Sequence, residues 1–128
     1  MADNAAIIRE FVAAWSRLDA DELTGYFTED GIYHNMMLPP VQGHAALRPF
    51  IAGFLASWSS AQWELVNLVA SDDLVVAERV DRAVAGGKPV ALPCCGVFEL
   101  RDGKNPFAGK RNRLTPRQVK HRARLRYR

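Results

Sequence analysis

The chain has 128 residues, 48% of them hydrophobic and 24% charged, the usage of a single globular domain and not of a collagen-like, coiled-coil or wholly disordered protein. It contains no run of 18 apolar residues, so no transmembrane helix is expected. The net charge of +3 is unevenly spread: residues 1–100 carry 6 Lys+Arg against 13 Asp+Glu, while residues 101–128 carry 11 Lys+Arg against the single Asp102. Only the end of the chain therefore gives an electrostatic reason to expect a nucleic-acid partner.

Ile8, Phe11, Val12, Trp15 and Leu18 recur at helical spacing, and Asn4 is a suitable cap, which predicts a first helix over about residues 5–18. Asp19-Ala20-Asp21-Glu22 fits a capping box and predicts a short second helix to about Phe27. Asp30-Gly31 breaks the chain. Ile32 to Met36 then reads as a strand closed by Leu38-Pro39-Pro40. A third helix is expected to bury Leu47, Ile51, Phe54, Leu55 and Trp58, with Pro49 tolerable near its first turn.

After that the apolar period changes to two. Gln62–Ala70, Leu74–Ala85 and Pro89–Leu100 read as strands, separated by turns at Ser71-Asp72-Asp73 and Gly86-Gly87-Lys88, with a further hairpin turn at Arg101 to Lys104. The order is that of an α+β domain, with helices on one face of a curved antiparallel sheet. From residue 105 the alternation fails. Residues 105–128 read as a basic, divergent, poorly ordered tail, separate from the domain at 1–104.

Side chains two apart on a strand share a face. Tyr33 and Asn35 form one such polar pair, and Arg79 and Asp81 another, the latter on the face that also carries Val75 and Ala77. An apolar face that ends in an ion pair and hydrogen-bonding groups is how a small-molecule cavity is built. The same residues also fit a structural salt bridge and a strand-end hydrogen-bonding pair. His34, His44 and His121 have no metal-ligand spacing. Cys94 and Cys95 are adjacent, too close for an unstrained bridge, and read as core thiols in a reducing compartment. The start of the chain, Met1-Ala2-Asp3-Asn4, leads into no apolar leader segment, so the expected location is the cytoplasm.

Tyr33 to Pro40, Glu78-Arg79-Val80-Asp81 and Gly96-Val97-Phe98 together resemble the limonene-1,2-epoxide hydrolase family, in its order and at nearly its spacing, over about residues 5–104. The resemblance implies the cone-shaped, SnoaL-like fold of the nuclear-transport-factor-2-like superfamily, with a curved antiparallel sheet packed against three helices from the first half of the chain. It implies a cofactor-free, metal-free enzyme, often a homodimer, that adds water to a small hydrophobic epoxide to give a vicinal diol. By this resemblance Tyr33 and Asn35 hold the attacking water and Arg79 bridges two carboxylates. Asp81 protonates the epoxide oxygen, and Met36, Leu38 and Val97 contact the substrate.

The family's second aspartate, the general base in a Trp-Arg-Asp stretch on the last strand, falls here at Lys110, and no Asp or Glu follows Asp102. A change this abrupt is what a frameshift leaves, and the other two reading frames would then encode such a stretch. Without a partner carboxylate, Asp81 beside Arg79 is expected to ionise, and the last expected strand, Pro89–Leu100, to keep an open edge. Three functions follow in order: an impaired epoxide hydrolase, a non-catalytic binding or dimerisation module of the same fold, and, last, nucleic-acid attachment through the tail.

Overall fold

The computed structural model describes residues 3–35 and 38–100, and the course of the chain at 120–123. Helix α1 spans Asn4–Ala14 and buries Ile7, Ile8, Phe11, Val12 and Ala14. Its cap is Asp3 and not Asn4: the Asp3 carboxylate accepts from the backbone N–H groups of Ala5 and Ala6. Asn4 instead donates its side-chain amide to the carbonyl of Asp72, tying the helix to the sheet. The helix ends sooner than its periodicity suggests, tightening into a 3-10 turn at Trp15–Arg17 that Leu18 closes in a left-handed conformation.

Helix α2 spans Ala20–Gly25, and Asp19 caps it through the N–H groups of Asp21 and Glu22, as the capping box predicts. Strand β1 (Ile32–Asn35) pairs with β2 (Val41–Gln42), a two-residue strand with no sequence signal. Helix α3 (His44–Leu55) buries Leu47, Ile51 and Leu55 and carries Pro49 inside it. Trp58 is not part of this helix; it opens β3 (Trp58–Ser71). Strand β4 is Leu74–Ala85 and β5 is Lys88–Glu99.

The sheet order is β2-β1-β6-β5-β4-β3, where β6 is Lys120–Ala123. The pairs are antiparallel except β1 with β6. Between β4 and β5 the two turn residues, Gly86 and Gly87, both have positive φ (58° and 79°), which a tight two-residue hairpin demands and glycine adopts without strain. Register shifts at Trp58/Ser60 and Leu65/Asn67 mark bulges in β3, the irregularities that bend a sheet.

Strand β6 corrects one expectation. Cys94–Val97 of β5 are not left as an open edge: they pair with Lys120–Ala123, which also pair with His34 and Asn35. The remainder of the 105–128 tail, the hairpin turn at 101–104 and Lys110 lie outside the described residues.

One face of the sheet and the three helices enclose the core. Phe11 lies at its centre, edge-on to Trp15, Tyr26, Phe27 and Phe98 at ring separations of 5.4–6.0 Å. The buried face of β4 carries Val75, Ala77, Arg79 and Ala83, and the facing positions of β5 are Phe98, Gly96, Cys94 and Val90. An arginine in that series is the anomaly that points to the site.

Candidate active site

Arg79 is 1% exposed. Its charge is met by Asp81, two residues along the same strand face: Nε donates to Oδ1 at 2.7 Å and Nη2 to Oδ2 at 3.3 Å. The guanidinium carbon also lies 4.5 Å from the ring centroid of Trp63, which faces Asp81 across the β3–β4 ladder. Gly96 leaves the space this needs. A Cβ there would stand 2.5 Å from Nη1 of Arg79 and 2.9 Å from the Phe98 ring.

A third group reaches the carboxylate. Cys94 is the β5 partner of Arg79, and its thiol donates to Oδ2 of Asp81 at 3.1 Å. Burial, with Asp81 nearby, pushes the Cys94 thiol up to about 12, so it keeps its proton at neutral pH and acts as a donor. Burial also lifts the Asp81 carboxyl above the ordinary aspartate value, and Arg79 and Cys94 offset this only in part. Arg79 favours the ionised form, as expected, but desolvation is the larger effect on Asp81.

Tyr33 is buried at 2% exposure, stacked on Phe27 and edge-on to Phe50. Burial raises its phenol well above the usual tyrosine value, so it too stays protonated. Tyr33, Asn35 and Asp81 line one cavity of about 180 Å³. Its other walls are aromatic (Trp15, Phe54, Trp58 and Trp63) and aliphatic (Ala83, Val90 and Leu92). Val90 and Leu92 are half exposed and form an open rim. Arg79 stays out of the cavity and acts on it through Asp81.

The expected substrate contacts fall differently. Leu38 is 44% exposed and does not line the cavity. Val97 lies on the opposite face of β5 from Gly96 and Phe98, beside Val76 and away from the cavity. Met36 lies outside the described residues. Of the histidines, His44 bonds the Phe27 carbonyl through Nε2 at 2.8 Å, a structural role at the start of α3. Among the described residues no three His, Cys, Asp or Glu side chains gather as a metal site, and no helix is long and apolar enough to cross a membrane.

Sequence reasoning missed the aromatic wall and Cys94. Trp63 was recognisable by its alternation with Ala61 on the inward face of β3. Phe54 and Trp58 were visible only as a helical stripe, which reads as core. Cys94 becomes visible once Gly86-Gly87 is taken as a two-residue turn, because that register sets it opposite Arg79.

A fold of three helices on a curved sheet, with a polar cluster inside the cone, defines the nuclear-transport-factor-2-like class. Residues 8–105 match the SnoaL-like domain family, and the chain belongs to it.

Similar solved structures share the fold at low identity. An epoxide hydrolase of M. tuberculosis described as LEH-like is 20% identical with a TM-score of 0.72, over 93% of this chain and 82% of that one. A polyketide cyclase, so described only provisionally, from Xanthomonas campestris pv. campestris is 23% identical with a TM-score of 0.71, over 94% and 93%. An NTF2-like protein of unknown function from Burkholderia pseudomallei is 16% identical with a TM-score of 0.77, over 97% and 92%. A curated relative, GTPase Der of Hahella chejuensis, is 64% identical over 28 residues, 22% of this chain. The chain thus spans only 6% of that GTPase's length.

Proposed function

We propose that the chain is a cofactor-free epoxide hydrolase of the limonene-1,2-epoxide type, acting slowly on a small hydrophobic epoxide. The observation that carries this is Asp81: a carboxyl group with a raised pKa, fixed by Arg79 and Cys94, at the wall of an apolar cavity that also holds a phenol and an amide. In this reading Asp81, protonated, gives its proton to the oxirane oxygen as the C–O bond breaks. Tyr33 and Asn35 orient the water that adds to the carbon. The water's second proton leaves to solvent or returns to the Asp81 carboxylate, closing the cycle with one diol formed. Arg79 holds Asp81 in place.

Among the described residues Asp81 is the one carboxylate lining the cavity. A general base typically contributes about 10²–10⁴-fold, and a site without one is slower by that factor. The same observation favours a second reading, a non-catalytic module that binds a small hydrophobic ligand. Incubating the purified chain with cyclohexene oxide and limonene-1,2-epoxide separates the two: diol formation above an Asp81→Asn control supports the hydrolase, and ligand binding without turnover supports the module.

We further propose a homodimer. Val69, Val76 and Val97 occupy neighbouring positions on the outer face of the sheet, and Val69 is 65% exposed. Sedimentation at a single species of monomer mass overturns this. The free thiols of Cys94 and Cys95 fit a cytoplasmic location.

A further inference from the structure

We propose that the cavity selects aryl epoxides, a single aromatic ring bearing the oxirane, over saturated rings of the same size. The inference rests on the hydrolase reading and adds the substrate class.

Size sets the first limit. An apolar cavity of about 150 Å³ accommodates benzene, and this one is about 180 Å³. One six-membered ring with its oxirane fills it, and anything larger reaches out past the open rim at Val90 and Leu92.

The walls set the second. Five lining side chains are aromatic and three are aliphatic. Trp15 and Trp63 already stack on each other at 4.0 Å, and Trp63 also carries the Arg79 guanidinium, so these two form a fixed floor. Phe54 and Trp58 are different. They stack on each other more loosely, at 6.4 Å and 20° from parallel, and both are only partly buried. They offer aromatic surface for a ligand to cover. An aryl ring gains the geometry-dependent aromatic attraction there as well as burial, while a cyclohexyl ring gains burial alone.

Charge sets the third. Aromatic walls also suit an ammonium group. Among the described residues Asp81 is the one acid lining the cavity, and Arg79 already engages it; protonated or ionised, it leaves no free counter-charge for an added cation, which would face the guanidinium. The ligand is therefore neutral at rest. Positive charge appears only as Asp81 transfers its proton and the C–O bond lengthens. On a benzylic carbon that charge spreads into the aryl ring, beside aromatic faces that attract it. Water then adds at the benzylic carbon, the oxygen keeps the bonding pair and the proton from Asp81, and the product is the 1,2-diol.

The test compares phenyl with cyclohexyl in two assays on the full chain. In calorimetric titration, 1-phenylethane-1,2-diol is expected to bind about ten-fold more tightly than 1-cyclohexylethane-1,2-diol. Trp58→Leu and Phe54→Leu should each shrink that ratio while leaving the far-UV circular dichroism unchanged. Equal affinities, a preference for the cyclohexyl diol, or no binding of either overturns the inference. Turnover is scored separately, with styrene oxide against cyclohexyloxirane. A phenyl preference in binding with no diol formed sinks the hydrolase reading and leaves the aryl selectivity standing. Diol formed equally from both epoxides does the reverse.

Discussion

The thiol of Cys94 donates to Oδ2 of Asp81 across 3.1 Å, while Arg79 holds Oδ1 at 2.7 Å. The carboxyl group is therefore gripped from two strands, by a cation on β4 and by a neutral donor on β5. Its hydrogen bonds favour the charged form and its burial favours the neutral one, and burial prevails. A group poised in this way can hold a proton above the ordinary aspartate range and still release it.

This poise has a sign that can be measured. As an acid, Asp81 works while protonated, so kcat/KM falls as pH rises through its pKa. The bond from Cys94 favours the carboxylate. Cys94→Ala removes that bond, raises the pKa further, and moves the fall to higher pH. Cys94→Ser keeps a donor and is expected to leave the profile near its original position. Carboxyl NMR titration of Asp81 follows the same shift without turnover, and an unmoved pKa in Cys94→Ala would show the thiol to be a bystander.

The ion pair has a structural cost when broken. Asp81→Leu leaves the Arg79 guanidinium buried, and a guanidinium cannot shed its proton. Removing one partner of a buried pair costs about 3–5 kcal/mol. Replacing both, as Arg79→Met with Asp81→Leu, is expected to recover much of that loss. Urea denaturation of the two single variants and the double variant checks it; purely additive losses would mean the pair is not coupled.

Gly96 and Gly53 are expected to respond in opposite directions to alanine. At Gly96 the new methyl group meets Arg79 Nη1 and the Phe98 ring, and overpacking of this kind costs about 1–3 kcal/mol. Gly53 lies in α3 with nothing within 4 Å of an added Cβ, so alanine there gains about 0.5–1 kcal/mol of helix stability. Chemical denaturation midpoints should move down for Gly96→Ala and up for Gly53→Ala.

Much of this architecture was legible in the sequence because its signals are local. Asp19 and the Gly86-Gly87 turn each fix a boundary by their own chemistry, and the period-two runs give β3, β4 and β5. Tyr33, Asn35, Arg79 and Asp81 stood out because polar residues two apart share a strand face. The aromatic wall did not stand out. Trp58 continues the apolar spacing of α3, and only the tertiary fold turns it into the first residue of β3. The cap shifted from Asn4 to Asp3 because Asn4 has a better use 68 residues away, on Asp72. No local pattern can report such a partner. Strand β6 was invisible for a related reason: its pairing with Cys94–Val97 and with His34 and Asn35 is long-range and follows no alternation in residues 120–123.

The most direct test of the account is diol formation by the full chain and by Asp81→Asn, with styrene oxide and cyclohexene oxide as substrates. The account predicts slow diol formation by the native chain, and a fall in Asp81→Asn to the rate of the buffer blank while its circular dichroism is retained. Diol formed equally by both proteins, or none from a folded native chain, would contradict the assignment of Asp81 as the acid of an epoxide hydrolase.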